Sequence, residues 1–402
     1  MPPTLQIGVL RRDHDGVRTV GVEEELLVVD PSGTPVALGP EALQAAARRG
    51  EGETVQQHDR AEQEGTAGPD DGAAAPGAHL VPELKEQQIE LGTRVCKELA
   101  EVAAELRHWR SRADAAAASV GARVAALATA PVPVEPVPTP GERYRLMLET
   151  FGLTAMEQLT CGCHVHVSVE DDEEGVAVLD RIRVWLPVLT ALTTNSPFWL
   201  GQDSGYESFR SQAWNRWPSA GPTGSFGSPA AYHELIEDLL ATGTVLDQGM
   251  VYFDARLSAT WPTVEVRVAD VALRVEDAVL LAGLVRGLVE TAARAWRSGE
   301  PAPDARTEVL RVAAWRAGRS GLSGDLVHPL TGRTAPAADA VGALVEHVRP
   351  ALIESGDREL VERGVAEVFR RGTGAVLQRA VFAETGDLTA VVRAAVAATH
   401  GG

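Results

Sequence analysis

The chain has 402 residues, 45% of them apolar, enough for one large core or two ordinary domains and incompatible with global disorder. A formal net charge of −19 excludes nucleic acid and anionic membranes as natural partners, and any nucleotide handled here must be held by metal ions or local arginines. Three cysteines exclude a disulfide framework, no apolar run reaches the roughly 18 residues of a membrane span, and residues 1–12 carry no signal-peptide core, so a soluble cytoplasmic protein is expected.

Residues 19–30 are rich in Val and Leu and partly alternating, predicting a strand that ends at the Pro31-Ser32-Gly33 turn. Within it stand three consecutive carboxylates, Glu23, Glu24 and Glu25. Alternation puts Glu23 and Glu25 on one face and Glu24 on the other with Val22 and Leu26. Two carboxylates on one apolar strand face repel unless a cation or a shared proton lies between them. Residues 41–49 read as a helix. Residues 50–77 have almost no large apolar side chain and read as a mobile surface loop. Residues 79–91 return to a strand pattern that ends in a carboxylate, Glu90, where a solvated strand end is the simpler reading. Residues 93–118 form a long helix, 122–130 a strand, and 131–140 a proline-rich connector.

Residues 144–158 read as a helix and 160–169 as a strand, Cys161-Gly162-Cys163-His164-Val165-His166-Val167-Ser168-Val169. Cys-x-Cys beside His-x-His suggests zinc, but a strand turns the histidines and cysteines to opposite faces, so the four cannot share an ion. The two histidines are as compatible with a structural hydrogen-bonded pair as with ligands. Residues 176–193 read as a helix interrupted near Pro187, and 195–228 as a long loop dense in Gly, Pro, Trp and Arg. Residues 263–270 are a strand with Val264, Val266 and Val268 on one face and Glu265 and Arg267 on the other, which a structural ion pair also explains. A long amphipathic helix follows over 273–296, then helices to the end, broken at 320–329, 331–334 and 372–374. Strands come early and helices late without βαβ alternation, which predicts α+β with an antiparallel sheet. Glutamates and a histidine on sheet faces suit Mg²⁺ or Mn²⁺ better than zinc, and no Walker or Gly-x-Gly-x-x-Gly loop is present.

Residues 21–30 (GVEEELLVVD), 160–169 (TCGCHVHVSV), 195–223 (NSPFWLGQDSGYESFRSQAWNRWPSAGPT) and 263–271 (TVEVRVADV) resemble the YbdK-like carboxylate–amine ligases, also called glutamate–cysteine ligase type 2. Weaker matches lie at 83–96, 141–147 and 372–382, and the resemblance runs from about residue 18 to about 395 in one order. It implies a single catalytic domain over 1–402 with a glutamine-synthetase-like fold: a curved, mainly antiparallel sheet backed by helices, the site on its concave face. It implies ATP-driven activation of a carboxylate, typically the γ-carboxylate of glutamate, as an acyl phosphate, then displacement of phosphate by an amine such as that of cysteine. Metal ligands are expected at Glu23, Glu25, Glu90, His164 and Glu265, with Glu23 and Arg267 catalytic and Arg267 on the ATP phosphate. Arg210, Trp214, Arg216 and Trp217 are expected to line the acid-substrate pocket. Small-molecule substrates are the expected partners, and a homodimer is compatible with the resemblance. Residues 128–131 (ATAP) depart from the family's Gly-Thr-His-Pro-like run, which bears on substrate identity. The alternatives are a γ-glutamyl ligase for another amine and, from a different class, a metal-dependent amidohydrolase, which has no need of Arg267.

Overall fold

The computed structural model describes residues 16–63 and 80–401. In chain order its strands are β1 (Val20–Val29), β2 (Leu80–Pro82), β3 (Gln88–Gly92), β4 (Arg123–Ala125), β5 (Gly162–Ser168), β6 (Phe198–Trp199), β7 (Gln202–Asp203), β8 (Ala255–Leu257), β9 (Thr263–Asp270), β10 (Asp325–Val327) and β11 (Thr334–Pro336). The helices are α1 (Gly39–Ala47), α2 (Val55–Gln63), α3 (Leu99–Ala118), α4 (Glu142–Phe151), α5 (Leu153–Met156), α6 (Asp172–Ile182), α7 (Leu186–Leu192), α8 (Arg210–Trp214), α9 (Pro229–Ala241), α10 (Val275–Arg297), α11 (Thr307–Ser320), α12 (Ala337–Glu354), α13 (Arg358–Arg371), α14 (Gly374–Thr385) and α15 (Leu388–Thr399).

Seven strands form one sheet in the order β2-β3-β1-β5-β9-β8, with β4 also paired to β1. Every pairing is antiparallel. One face is covered by α3, the long α10 and α6, with α12 and α13 behind α10. The fold is therefore α+β, an antiparallel sheet backed by helices, as the order of elements predicts.

The alternation in β1 is resolved by what meets each face. Val22, Leu26 and Val28 join the core beneath the helices. Glu24 shares that face and is fully buried, a placement that only a partner can sustain. Arg110 on α3 supplies it: Nε and Nη2 each donate to Glu24 at 2.7 Å, and the remaining guanidinium protons reach the carbonyls of Ala272, Leu273 and Thr399. One ion pair thus fastens β1, α3, the entry to α10 and the end of α15.

Four predicted elements differ in outcome. The strand pattern over 79–91 is two strands, because Leu84 to Gln87 turn the chain and β2 pairs back on β3. The loop predicted over 50–77 contains α2. Thr54 and Gln57 cap each other, Thr54 N to Gln57 Oε1 at 2.9 Å and Gln57 N to Thr54 Oγ1 at 3.2 Å, which starts a helix despite the polar composition. Residues 64–77 of that loop lie outside the described residues. The helix predicted over 144–158 breaks at Gly152, whose φ of +52° is a left-handed conformation that glycine adopts without strain. The loop over 195–228 contains the β6–β7 hairpin and the short α8.

Candidate active site

The face of the sheet opposite the helices gathers acidic and basic groups by cross-strand register. Glu23 of β1 lies opposite His164 of β5, and Glu25 lies opposite Glu90 of β3. His166 of β5 lies opposite Glu265 of β9, which in turn faces Arg256 of β8. A bulge between Cys163 and Val165 sets Arg267 and Val268 of β9 against the single residue His164. Beyond the bulge Asp270 pairs with Gly162 and regains the site face that unbroken alternation would deny it.

The five predicted ligands, Glu23, Glu25, Glu90, His164 and Glu265, thus come to one face, but as two groups. Oxygen atoms of Glu25, Glu83 and Glu90 lie within 4.8 Å of one another, and so do ligand atoms of Glu23, His166 and Glu265. His164 stands between them, Nδ1 3.4 Å from Glu23 Oε2 and 3.8 Å from Glu265 Oε1, Nε2 3.9 Å from Glu25 Oε1. Each group contains a residue missing from the predicted set. His166 was legible, since alternation places it beside His164. Glu83 was not: it reaches Glu90 only because the chain turns back between β2 and β3.

Electrostatics separates the members. Burial pushes the Glu23 carboxyl up, but the His166 and His164 rings outweigh burial and hold it below the usual carboxylate value. Glu265 is buried too, yet Arg256 at 2.7 Å, Arg267 and the two histidines hold it well below that value. Burial and Arg267 push His164 down against its carboxylate neighbours, keeping the ring neutral at pH 7, the form that ligates metal. No hydrogen bond reaches His164 Nε2 among the described residues. Clustered buried carboxylates with neutral imidazole form a donor set that fits a hard divalent cation.

Arg267 pairs with Glu265, leaves Nε without a hydrogen bond, and lies 6.0 Å from the Trp214 ring centre. Arg210, only 2% exposed, stands 5.5 Å from the same ring and beside Gly162, where a Cβ would collide with its guanidinium. Trp214, Trp217 and Tyr252 pack together, Trp214–Tyr252 tilted with centres 4.8 Å apart and Trp217–Tyr252 edge-on at 5.5 Å. With Tyr144 and Met147 of α4 they wall a cavity of about 30 Å³ over Glu25, Glu90, His164 and Arg267. Arg216 is not brought there: it pairs with Glu157 at 2.7 Å, one-third exposed, outside the cavity lining.

Asp270 organises the loop that delivers α8. It accepts from Asn195 N and Ser196 Oγ at 2.7 Å each and from Ser208 Oγ at 2.8 Å. Gln378 of α14 holds Asn195 from behind, and Gly374 leaves room for the Asn195 side chain, which explains why residues 372–382 carry a motif so far from the sheet. The cysteines take no part in either ligand group. Cys163 sits on the Glu24–Arg110 face, and Cys161 precedes β5 with Sγ 3.7 Å from Gln88 Nε2.

Residues 19–394 match the model of the glutamate-cysteine ligase family 2 (GCS2). A protein of Paenarthrobacter aurescens (strain TC1), named "Putative glutamate--cysteine ligase 2-1", is 51% identical over 385 residues, covering 96% of this chain and 95% of its own. One of Streptomyces coelicolor, "Putative glutamate--cysteine ligase 2", is 50% identical over 385 residues, covering 96% and 99%. Among solved structures, a glutamate–cysteine ligase of Francisella tularensis in complex with AMP aligns with a TM-score of 0.64 at 13% identity, over 96% of this chain and 89% of that one. A bifunctional glutathione synthetase of Pasteurella multocida aligns with a TM-score of 0.67 at 15% identity over 95% of this chain, which spans 52% of that enzyme's length. At these identities the likeness is one of fold, the glutamine-synthetase-like arrangement expected from the sequence. Among the described residues no helix is long and apolar enough to cross a membrane. By sequence over nearly its whole length, this chain belongs to the glutamate–cysteine ligase family 2.

Proposed function

We propose that this protein is an ATP-dependent carboxylate–amine ligase that requires Mg²⁺ or Mn²⁺. It activates the γ-carboxylate of glutamate and couples it to an amino-acid amine such as that of cysteine. The observation that carries this reading is the pair of carboxylate–histidine groups on one sheet face with Arg267 and Arg210 beside them. A net acidic surface binds a triphosphate only where cations are concentrated, and that face is where the residues can concentrate them. Glu25, Glu83 and Glu90 would hold one ion and Glu23, His166 and Glu265 another, with His164 between. Bound divalent ions offset the phosphate charge and polarise the transferred phosphoryl group.

The rest falls to the chain's own side chains. Arg267 directs its guanidinium to the transferred phosphate, exchanging its contact with Glu265 for a charge-assisted contact with oxygen. Arg210 holds a substrate carboxylate against the Trp214 face. Carboxylate oxygen attacks the γ-phosphorus, ADP departs, and the acyl phosphate stays behind Trp214, Trp217 and Tyr144, which exclude water. The hydrolase alternative is disfavoured by Arg267 and Arg210, which a water-activating metal site does not need. Glutamate carrying heavy oxygen in its γ-carboxylate, incubated with ATP, Mg²⁺ and a panel of amines, should pass one labelled oxygen to the released phosphate. Product without that transfer, or without ATP, overturns the ligase reading.

A further inference from the structure

An amine reaches an acyl phosphate at neutral pH as an ammonium ion, without a lone pair to attack with. Resting on the ligase reading above, the second half-reaction therefore needs a proton acceptor near the carbonyl carbon. The carboxylates of the site face are nearly all engaged. Glu23, Glu25, Glu83, Glu90 and Glu265 belong to the two ligand groups, and Asp270 accepts three hydrogen bonds from the 195–208 loop.

Asp254 is different. It lies one residue before β8, and its carbonyl accepts from Arg267 N at 3.0 Å, so it is the cross-strand neighbour of Arg267. Arg256, two residues on, faces Glu265, which puts Asp254 on the same face. Its side chain is half-buried, and no hydrogen bond or ion pair reaches its carboxyl among the described residues. Burial drives its pKa up to about 7 against Arg210 of α8, the one charged group among the described residues that acts on it. Arg210 and Arg267 also flank the Trp214 ring that walls the cavity.

We propose that Asp254 is the catalytic base of the amine-transfer step, accepting a proton from the incoming ammonium group. The ammonium gives one proton to the Asp254 carboxylate, and its freed lone pair forms the C–N bond. The acyl C–O bond breaks with its electron pair on phosphate, which leaves carrying the second nitrogen proton. Asp254 then returns its proton to water.

Hydroxylamine and methylamine are nearly the same size, but at pH 7 the first is neutral and the second an ammonium ion. With the full chain, Mg²⁺-ATP and glutamate, Asp254→Asn should keep hydroxamate formation within about 3-fold of wild type and lose methylamide formation by roughly 10²-fold. The variant's methylamide rate should climb tenfold per pH unit, whereas the wild-type rate levels off once Asp254 is ionised. Loss of both products to the same extent, or of neither, overturns the assignment, as does a wild type that makes hydroxamate but no methylamide at any pH. Should Asp254→Asn fail to fold, Asp254→Glu, which keeps the carboxylate, must retain the wild-type product ratio. A wild type that yields no hydroxamate with ATP defeats the ligase reading itself, a result distinct from a changed ratio.

Discussion

Glu24 and Gly162 show how differently neighbouring residues on one strand face or the other can act. Glu24 is a structural charge: with its bidentate Arg110 partner it is sealed from water, and removal of one partner strands the other. Arg110→Ala should therefore cost about 3–5 kcal/mol in denaturant unfolding, and Glu24→Leu combined with Arg110→Met should recover most of it. Recovery in the double variant separates loss of a partner from loss of the fold. Gly162 sits on the site face, where an added Cβ meets the end of Arg210 and comes within 3.1 Å of His164 Nε2. Gly162→Ala should lower turnover by on the order of 10²-fold through misplacement of those groups, with unfolding changed by less than about 1 kcal/mol. Arg267→Lys retains charge but not the planar fork, so turnover should fall sharply, and unchanged turnover with ATP would remove Arg267 from the phosphate.

Two features of the helices matter at the scale of elements. α10 approaches its neighbours through glycine: a Cβ at Gly283 would lie 2.9 Å from both Leu99 of α3 and Val361 of α13. Gly283→Leu should overpack that layer and cost roughly 1–3 kcal/mol, read as a lower denaturant midpoint. Asp114 joins α3 to β4 and to the end of the chain. Burial raises its pKa, but hydrogen bonds from His400, Arg123 and Val124 N outweigh burial and bring it down to about 2 from an ordinary 3.8. A depressed carboxylate contributes stability above its unfolded value and loses it as pH falls through 3.8 towards about 2. The side chain is partly exposed, so screening leaves about 1 kcal/mol of this. Asp114→Asn should thus be less stable than wild type at pH 6, and the difference should shrink below pH 3.8 and close as pH falls below about 2.

At the scale of the whole molecule, the sheet is continuous from β2 to β8 and the helix layer spans it, while the 195–208 loop is tied to α14. We propose that the described residues, 16–63 and 80–401, belong to one cooperative unit, which calorimetry should register as a single transition. Ligand linkage belongs at this scale as well. If the two carboxylate groups hold divalent ions with ATP, Mg²⁺ and ATP together should stabilise the fold by about 2.7 kcal/mol at a hundred times the dissociation constant. Glu83→Gln and His166→Ala should each diminish that shift, whereas Cys161→Ala and Cys163→Ala should leave it unchanged. Their thiols are pushed well above the usual value by burial and stand outside both groups.

The sequence alone determined which side chains share a strand face. Alternation is a local property of extended backbone, so the opposition of Glu23 and Glu25 to Glu24, and of His164 and His166 to Cys163, could be read from residue parity. Helix existence was equally local, as in α3 and α10, because a 3.6-residue apolar period recurs within a short window. The chain's turns and registers were decided elsewhere. Glu83 joins Glu25 and Glu90 only through the β2–β3 hairpin, Asp270 regains the site face only through the β9 bulge, and Asp254 meets Arg267 only across the β8–β9 pairing. Arg216 leaves the cavity for Glu157 although its sequence neighbours Trp214 and Trp217 stay. Each of these depends on contacts between segments far apart in the chain, whose geometry is set by long-range burial and hydrogen bonding rather than by the residues on either side.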